Sequence, residues 1–183
     1  MRPLRADDRA AFIGMHELSR GFFAPWMPIA QTQSLDELFD QLLQRTQSAL
    51  ETGKDLRLTA FLRDDRRLVG MFNLNEIIRG AFCNAFAGWK VSADLTRQGF
   101  GTEGVNALLD LAFAPPPTGL GLHRVQANII PTNVASLALA EKVGFRREGL
   151  AKAYLKIAGE WRDHVMLAKL AEEHAFVHLT DSR

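Results

Sequence analysis

The apolar positions along the chain change period several times, and each change marks an element. From Asp7 to Ser19 they recur at helical spacing, with Phe12, Met15 and Leu18 on one side and Asp7 or Asp8 placed as a cap. The stretch from Gly21 to Gln33 has no clear period and is rich in bulky residues, among them Phe22, Phe23, Pro25, Trp26, Met27 and Pro28. Ser34 then reads as the cap of a second helix that runs to Thr52 and ends near Gly53. Beyond it the texture becomes β-like. Leu56 to Arg63 and Arg67 to Leu74 predict two strands about a turn at Asp64-Asp65, and Ala81 to Val91 predicts a third. Ala85, Ala87 and Gly88 within that third run point to a bulge or a close backbone approach.

Helical spacing returns from Thr102 to Phe113, with Val105, Leu108, Leu109 and Ala112 as the buried stripe, until Pro115-Pro116-Pro117 stops it. A strand from His123 to Ile130 follows, then a helix from Thr132 to Val143 that Gly144 terminates. Phe145 to Ile157 and Glu160 to Leu170 predict a closing antiparallel pair that turns at Ala158-Gly159. This order gives an α/β fold with a mixed sheet, in one domain spanning 1–170. The tail, 171–183, is weakly patterned and expected to be mobile.

Composition narrows the function classes. The 183 residues are 47% hydrophobic with a formal net charge of +1, which offers no broad basic field for nucleic acid and no polybasic membrane anchor. The pairs Arg66-Arg67 and Arg146-Arg147 are too short for docking patches and read as solvated turns. Met1-Arg2-Pro3-Leu4-Arg5 opens into a charged segment instead of an apolar signal core, and no apolar run is long enough to span a bilayer. A soluble, cytoplasmic protein is the expectation. The one cysteine, Cys83, can form no internal disulfide and sits in an apolar run as a buried, inert thiol.

The most informative stretch is Thr96-Arg97-Gln98-Gly99-Phe100-Gly101-Thr102-Glu103, between a predicted strand and a predicted helix. The first amides of a helix lack internal partners and carry the positive end of its dipole. Glycines at 99 and 101 remove side chains that would keep an anion from those donors, so a diphosphate is a natural guest. A Walker loop is excluded because no Gly-Lys-Ser/Thr follows, and a dinucleotide fingerprint lacks its third glycine.

This loop resembles the Arg/Gln-x-x-Gly-x-Gly/Ala motif of the GNAT superfamily of N-acetyltransferases. Gly99-Phe100-Gly101-Thr102-Glu103 resembles more narrowly the branch of the ribosomal-protein N-terminal acetyltransferases. Further pieces follow in family order: Asn73-Leu74-Asn75, Gly121-Leu122-His123-Arg124-Val125, Asn133-Val134-Ala135-Ser136, Glu141-Lys142-Val143-Gly144-Phe145 and Gly159-Glu160-Trp161-Arg162-Asp163-His164. The likeness covers Arg2 to Leu170. It implies a mostly antiparallel sheet flanked by helices and splayed between the strands ending near Val91 and Ile130. Acetyl-CoA would lie in that gap, its pantetheine along the edge of Trp89 to Val91 and its diphosphate on Arg97, Gln98, Gly99, Phe100, Gly101 and Thr102. Asn133 is similar to a family cofactor contact and equally suits a helix cap; Lys142 is within reach of phosphate or is a solvated lysine. No metal is implied.

Acetyl transfer to an amine needs a neutral nucleophile, a stabilised thioester oxygen and a proton for the leaving thiolate. Many family members supply that proton from a tyrosine four residues before the Gly-Phe pair, where this chain has Ala140. Ser136, on the same helical face as Asn133, is the local substitute, unless it satisfies a backbone carbonyl. Glu76 is the candidate base, ahead of His123. A weak base suits an α-amine, because its pKa of about 8 against about 10.4 for lysine makes deprotonation roughly 3 kcal/mol cheaper. By resemblance, Phe22 to Pro28, the second helix and the turn 158–164 frame the acceptor. Phe22, Phe23, Trp26 and Trp161 would form its walls, and Asp163 or Glu160 would hold the ammonium. The reading is an N-acetyltransferase acting on a protein N-terminal α-amine, possible as a homodimer. Its alternatives are a small-molecule amine acetyltransferase and a non-catalytic CoA-binding sensor.

Overall fold

The computed structural model describes residues 1–26, 34–157 and 159–176. Two helices, α1 (Arg9–Phe23) and α2 (Leu35–Thr52), precede the strands β1 (Leu56–Phe61), β2 (Leu68–Ile78) and β3 (Asn84–Val91). Then come α3 (Phe100–Phe113), β4 (Arg124–Ile129), α4 (Val134–Lys142), β5 (Arg146–Ile157) and β6 (Glu160–Leu170). The six strands form one sheet in the order β1-β2-β3-β4-β6-β5. Every neighbouring pair is antiparallel except β3 with β4.

Local chemistry explains most boundaries. Ser34 Oγ accepts from the Glu37 amide (3.2 Å) and the Glu37 carboxylate accepts from the Ser34 amide (3.0 Å), a reciprocal cap that starts α2 where the sequence places it. Gly53, at φ 63°, ends that helix in the left-handed conformation. At α1 the expected cap is absent. Asp8 is instead buried, taking both guanidinium nitrogens of Arg2 (2.7 and 2.6 Å) and the Arg5 amide (2.8 Å). The helix starts at Arg9 and extends to Phe23, beyond the predicted end at Ser19. It buries Phe12, Met15, His16, Ser19 and Phe23, a spacing that leaves Leu18 58% exposed instead of in the predicted stripe.

The bulge expected on the third strand lies on its neighbour. β2 runs four residues further than predicted, and its register with β3 slips between Asn75 and Ile78, where Glu76 takes φ 51°. The small residues of β3 serve packing instead; Ala85 is fully buried.

Each face of the sheet carries its own core. Phe72, Leu74, Ala85, Val125, Ala127 and Leu167 pack against Val105, Leu108 and Leu109 of α3 and Leu137 of α4. Met71 and Leu68 pack against Phe12, Met15 and Phe23 of α1 and Phe39 of α2 on the opposite face. The α3 side is tight: a Cβ at Gly104 would stand 2.1 Å from the Phe72 ring. The chain beyond β6 is hydrogen-bonded at its start, and residues 177–183 of the expected tail lie outside the described residues. Ala171–Glu173 forms a 3-10 turn, and buried His174 shares a hydrogen bond of 2.7 Å between its Nε2 and Asp110 Oδ1 of α3.

Candidate active site

The sheet opens where β3 and β4 part. Their parallel pairing covers Asn84 with Arg124, Ala85 with Val125 and Phe86 with Gln126, and then stops. From Ala87 onward β3 is held by β2 alone. The Ser92 amide donates to Val69 O (2.8 Å). In an antiparallel ladder alternate residues turn both backbone groups toward one neighbour. Gly88 and Lys90 therefore face β2, and Trp89 and Val91 turn their N–H and C=O groups into the gap. That free edge is what an extended, amide-bearing arm needs for pairing.

The gap widens into a cleft of about 1400 Å³ that crosses the sheet. On one face it reaches the start of α3. Arg97 and Gly99 both take positive φ (62° and 89°), which turns the chain sharply before the helix. The first intrahelical donor is the Glu103 amide, to Gly99 O at 3.0 Å; among the described residues the amides of Phe100, Gly101 and Thr102 have no acceptor. The Gln98 side chain turns away from this mouth and donates to Asp94 O (3.0 Å). Nothing lies within 4 Å of a Cβ built at Gly99, so its role is conformational freedom in front of open space. Gly101 differs from expectation, because its missing Cβ would press on Leu139 of α4 at 3.1 Å, making it a packing glycine. These features fit a diphosphate: free amides, a helix dipole and two cations on the rim, Arg97 and Lys142.

Most of the predicted cofactor residues meet here. Trp89, Val91, Arg97, Gly99, Gly101, Thr102, Asn133, Ser136 and Lys142 line the cleft; Gln98 and Phe100 are not among its lining residues. Asn133 does cap α4, its Oδ1 accepting from the Ser136 amide at 3.2 Å. Glu76 is not brought to the site. It is exposed on the β2 bulge, beside the Asn84 end of β3, with its amide donating to Asp55 Oδ1 (2.9 Å). His123 is exposed, and both it and Cys83 stand outside the cleft lining.

The other face of the cleft is walled by Phe22, Phe23 and Trp26 and by Leu38, Leu42 and Arg45 of α2. Met27 and Pro28, expected there too, lie outside the described residues. Trp161 is 64% exposed and stands apart. The two carboxylates expected to hold an ammonium are engaged elsewhere. Asp163 takes Lys152 Nζ (2.8 Å) and the Ala153 amide (2.9 Å), interactions that hold its carboxyl below the usual range, and Glu160 pairs with Arg162 (2.8 Å).

Two clusters absent from the sequence reading stand at the acceptor face instead. Lys90 projects from β3 toward α1, its amine 5.8 and 5.7 Å from the ring centres of Phe12 and Phe23. His16 Nδ1 lies 2.8 Å from Phe12 O, an acceptor, so that nitrogen carries the proton and Nε2 receives a hydrogen bond from Lys90 Nζ (2.8 Å). Burial lowers the Lys90 amine to about 7, and burial followed by the nearby lysine charge lowers His16 to about 4. The second cluster is His164, Asn128 and Tyr154. His164 precedes Val165, the residue paired with Ile129 at the end of β4, and is buried in the cleft wall. Its Nδ1 donates to Arg162 O (3.0 Å), which leaves Nε2 as the basic nitrogen. Asn128 Nδ2 donates to the Tyr154 hydroxyl (2.9 Å), whose ring lies 5.4 Å from that of His164.

A model of the acetyltransferase (GNAT) domain matches residues 1–146 of this chain. The chain belongs to the GNAT acetyltransferase family. The GNAT likeness extends along nearly the whole chain: it is 34% identical over 171 residues to a probable N-acetyltransferase, YjcK, of Bacillus subtilis, covering 93% of this chain and 92% of that one. It is 28% identical over 151 residues to the ribosomal protein uS5-alanine N-acetyltransferase of Escherichia coli, covering 82% and 76%. Among solved structures, RimJ of Mycobacterium smegmatis in complex with CoA-disulfide superimposes with a TM-score of 0.85 at 30% identity, covering 94% of this chain and 81% of that one. This GNAT chain is thus an acetyl-CoA-dependent acetyltransferase of the RimJ/RimL-like branch, and the sensor reading falls away. Ala140, in place of the family tyrosine, is fully buried in the α4 core and offers no proton.

Proposed function

We propose that this enzyme acetylates the α-amine of a protein N-terminus. The observation that carries this reading is the composition of the acceptor face. No carboxylate lines the cleft among the described residues, and the undescribed segment 27–33 contains neither Asp nor Glu. A polyamine site needs acidic partners for a chain of cations, whereas an α-amine is a single weak base followed by a polar backbone.

Acetyl-CoA supplies an acetyl group activated as a thioester. The chain's own groups then divide the work. The free edge of Trp89 to Val91 holds the arm, and an amide there serves the thioester oxygen. The first amides of α3, with Arg97 and Lys142, take the diphosphate. His164 replaces Glu76 as the base: its tautomer is fixed by Arg162 O, and Nε2 accepts the acceptor's proton directly or through water. Ser136, whose amide is anchored by Asn133, presents its hydroxyl to the leaving thiolate. The aromatic walls Phe22, Phe23 and Trp26 favour a second reading, a compact small-molecule amine.

A panel of acceptors separates these readings. Purified protein is mixed with acetyl-CoA and a peptide bearing a free N-terminus, the same peptide with its N-terminus blocked and one lysine left, spermidine, or small aromatic amines. Thiol release is followed. Turnover confined to the free N-terminus is expected. Preference for the lysine peptide, spermidine or the aromatic amines overturns the assignment.

A further inference from the structure

The acceptor half of the cleft is charged as well as apolar, and its charge has one sign. Lys90 rises from β3, and Arg45 stands on α2 one turn beyond Leu42, on the wall that Leu38 and Leu42 begin. His164 completes the titratable lining of this face from β6, with His16 behind Lys90 from α1. Arg9 of α1 holds both Asp36 (3.0 Å) and Asp40 of α2, whereas Arg20 of α1, which does not line the cleft, has no ion pair among the described residues. Arg45 takes part in no ion pair among the described residues, and the partner of Lys90 is a neutral imidazole nitrogen.

We infer that the acceptor carries a carboxylate within the first residues after its reacting amine, held by Arg45 and Lys90. This rests on the α-amine reading and sharpens it: the favoured terminus has Asp or Glu at its second or third residue. A guanidinium takes a carboxylate through paired hydrogen bonds, which suits Arg45 at the mouth. Lys90 suits the sheet side, because a half-buried amine held below its usual range takes up a proton when an anion arrives beside it. The same lining repels lysine-rich termini and polyamines.

The test uses peptides that share an N-terminal alanine and differ at positions two and three, bearing Asp-Glu, Ser-Ser or Lys-Lys, beside free alanine and alaninamide. kcat/KM for the acidic peptide is expected to exceed that for the lysine peptide by roughly tenfold or more, the size of one partly exposed ion pair gained and one repulsion removed. Arg45→Gln, on an exposed helix position, and Lys90→Met should each shrink that ratio, and together bring it near one. Thermal melting monitors folding, and the ratio within each variant is insensitive to the fraction folded. Free alanine outrunning every peptide sinks the protein-terminus reading on which the inference rests. Peptide turnover indifferent to acidic residues, or ratios unmoved in both variants, overturns it. Peptides that are not turned over at all, beside active spermidine, sink the α-amine reading instead.

Discussion

The two halves of the cleft are built from different materials. The half facing α3 and α4 is made of backbone: a strand edge released by its neighbour, three free helix amides and a glycine in the left-handed conformation. The half facing α1 and α2 is made of side chains drawn from distant elements, with His16, Arg45, Lys90, Asn128 and His164 each from a different one. A backbone site recognises what any CoA ester shares, and a side-chain site selects one acceptor among many. The first tolerates little change and the second a good deal, so substitutions should separate them by kind of effect before size.

The largest expected effect belongs to the backbone half. Gly99→Glu sets a carboxylate before the α3 mouth and forces a β-carbon into φ 89°. Acetyl-CoA affinity by titration calorimetry should fall about a hundredfold, near 3 kcal/mol. Gly99→Asn isolates the charge, because asparagine tolerates the left-handed conformation and is neutral. It should stay within a few-fold of the parent. Equal losses for both variants would assign Gly99 to turn geometry alone.

The side-chain half should reveal itself through pH. His16 is held at about 4 in the fold, below its ordinary 6.5, so between those values the unfolded chain binds more protons than the folded one. Stability therefore falls as pH drops from 6.5 toward 4, by up to about 3 kcal/mol for the full shift. Lys90 acts in the same direction higher up. Its amine sits near 7 against 10.5, so stability climbs as pH rises between these values. Urea unfolding at pH 4.5, 6.5 and 8.5 checks both, and His16→Leu should shrink the acid limb and leave the alkaline one, the remainder of the acid limb coming from His174, whose burial also holds it below its ordinary value. A profile flat from 4.5 to 6.5 in the parent would mean that His16 opens to solvent.

The same division explains what the sequence could disclose. The loop at 96–103 was legible because a backbone site depends on glycine at fixed offsets from a strand end and a helix start, and those offsets survive in one dimension. Ser34 and Gly53 announced α2 for a similar reason: capping is local. Asp8 misled because its partner, Arg2, lies outside any cap pattern. Lys90 and His16 are 74 positions apart and join only because α1 crosses the Met71 face of β2 and β3. A lysine inside an otherwise apolar strand was the one available signal. Glu76 was chosen by nearness to the Asn73-Leu74-Asn75 motif, yet the bulge that follows Asn75 turns it away from the gap. His164 closed a recognised motif, but only the β6 register sets it at the end of β4, next to the Ile129–Val165 pair.

Among the side-chain residues, His164→Gln should slow turnover most, by roughly thirtyfold at neutral pH, within the range for removing a positioned base. Its effect should fall on kcat and leave acetyl-CoA affinity intact, since the imidazole stands on the acceptor face. The rise of rate with pH should also move toward the titration of the free acceptor, because the amine must then lose its proton to solvent. A loss that appears only in the acceptor KM, with the pH profile unmoved, would make His164 a contact and not the base.

The smallest effect is expected at Ser136, and its size carries the argument about Ala140. A thiolate leaving group is a weak base and is tolerated near neutral pH without full protonation. A fold that replaces the family tyrosine with a buried alanine therefore gives up a modest contribution. Ser136→Ala removes the hydroxyl and keeps the amide that Asn133 caps, so α4 and the cleft wall stay in place. kcat should drop only about three- to fivefold, and more for a CoA ester analogue with a more basic leaving group. An unchanged rate with both esters would leave Ser136 a wall residue and put thiolate protonation in the hands of water.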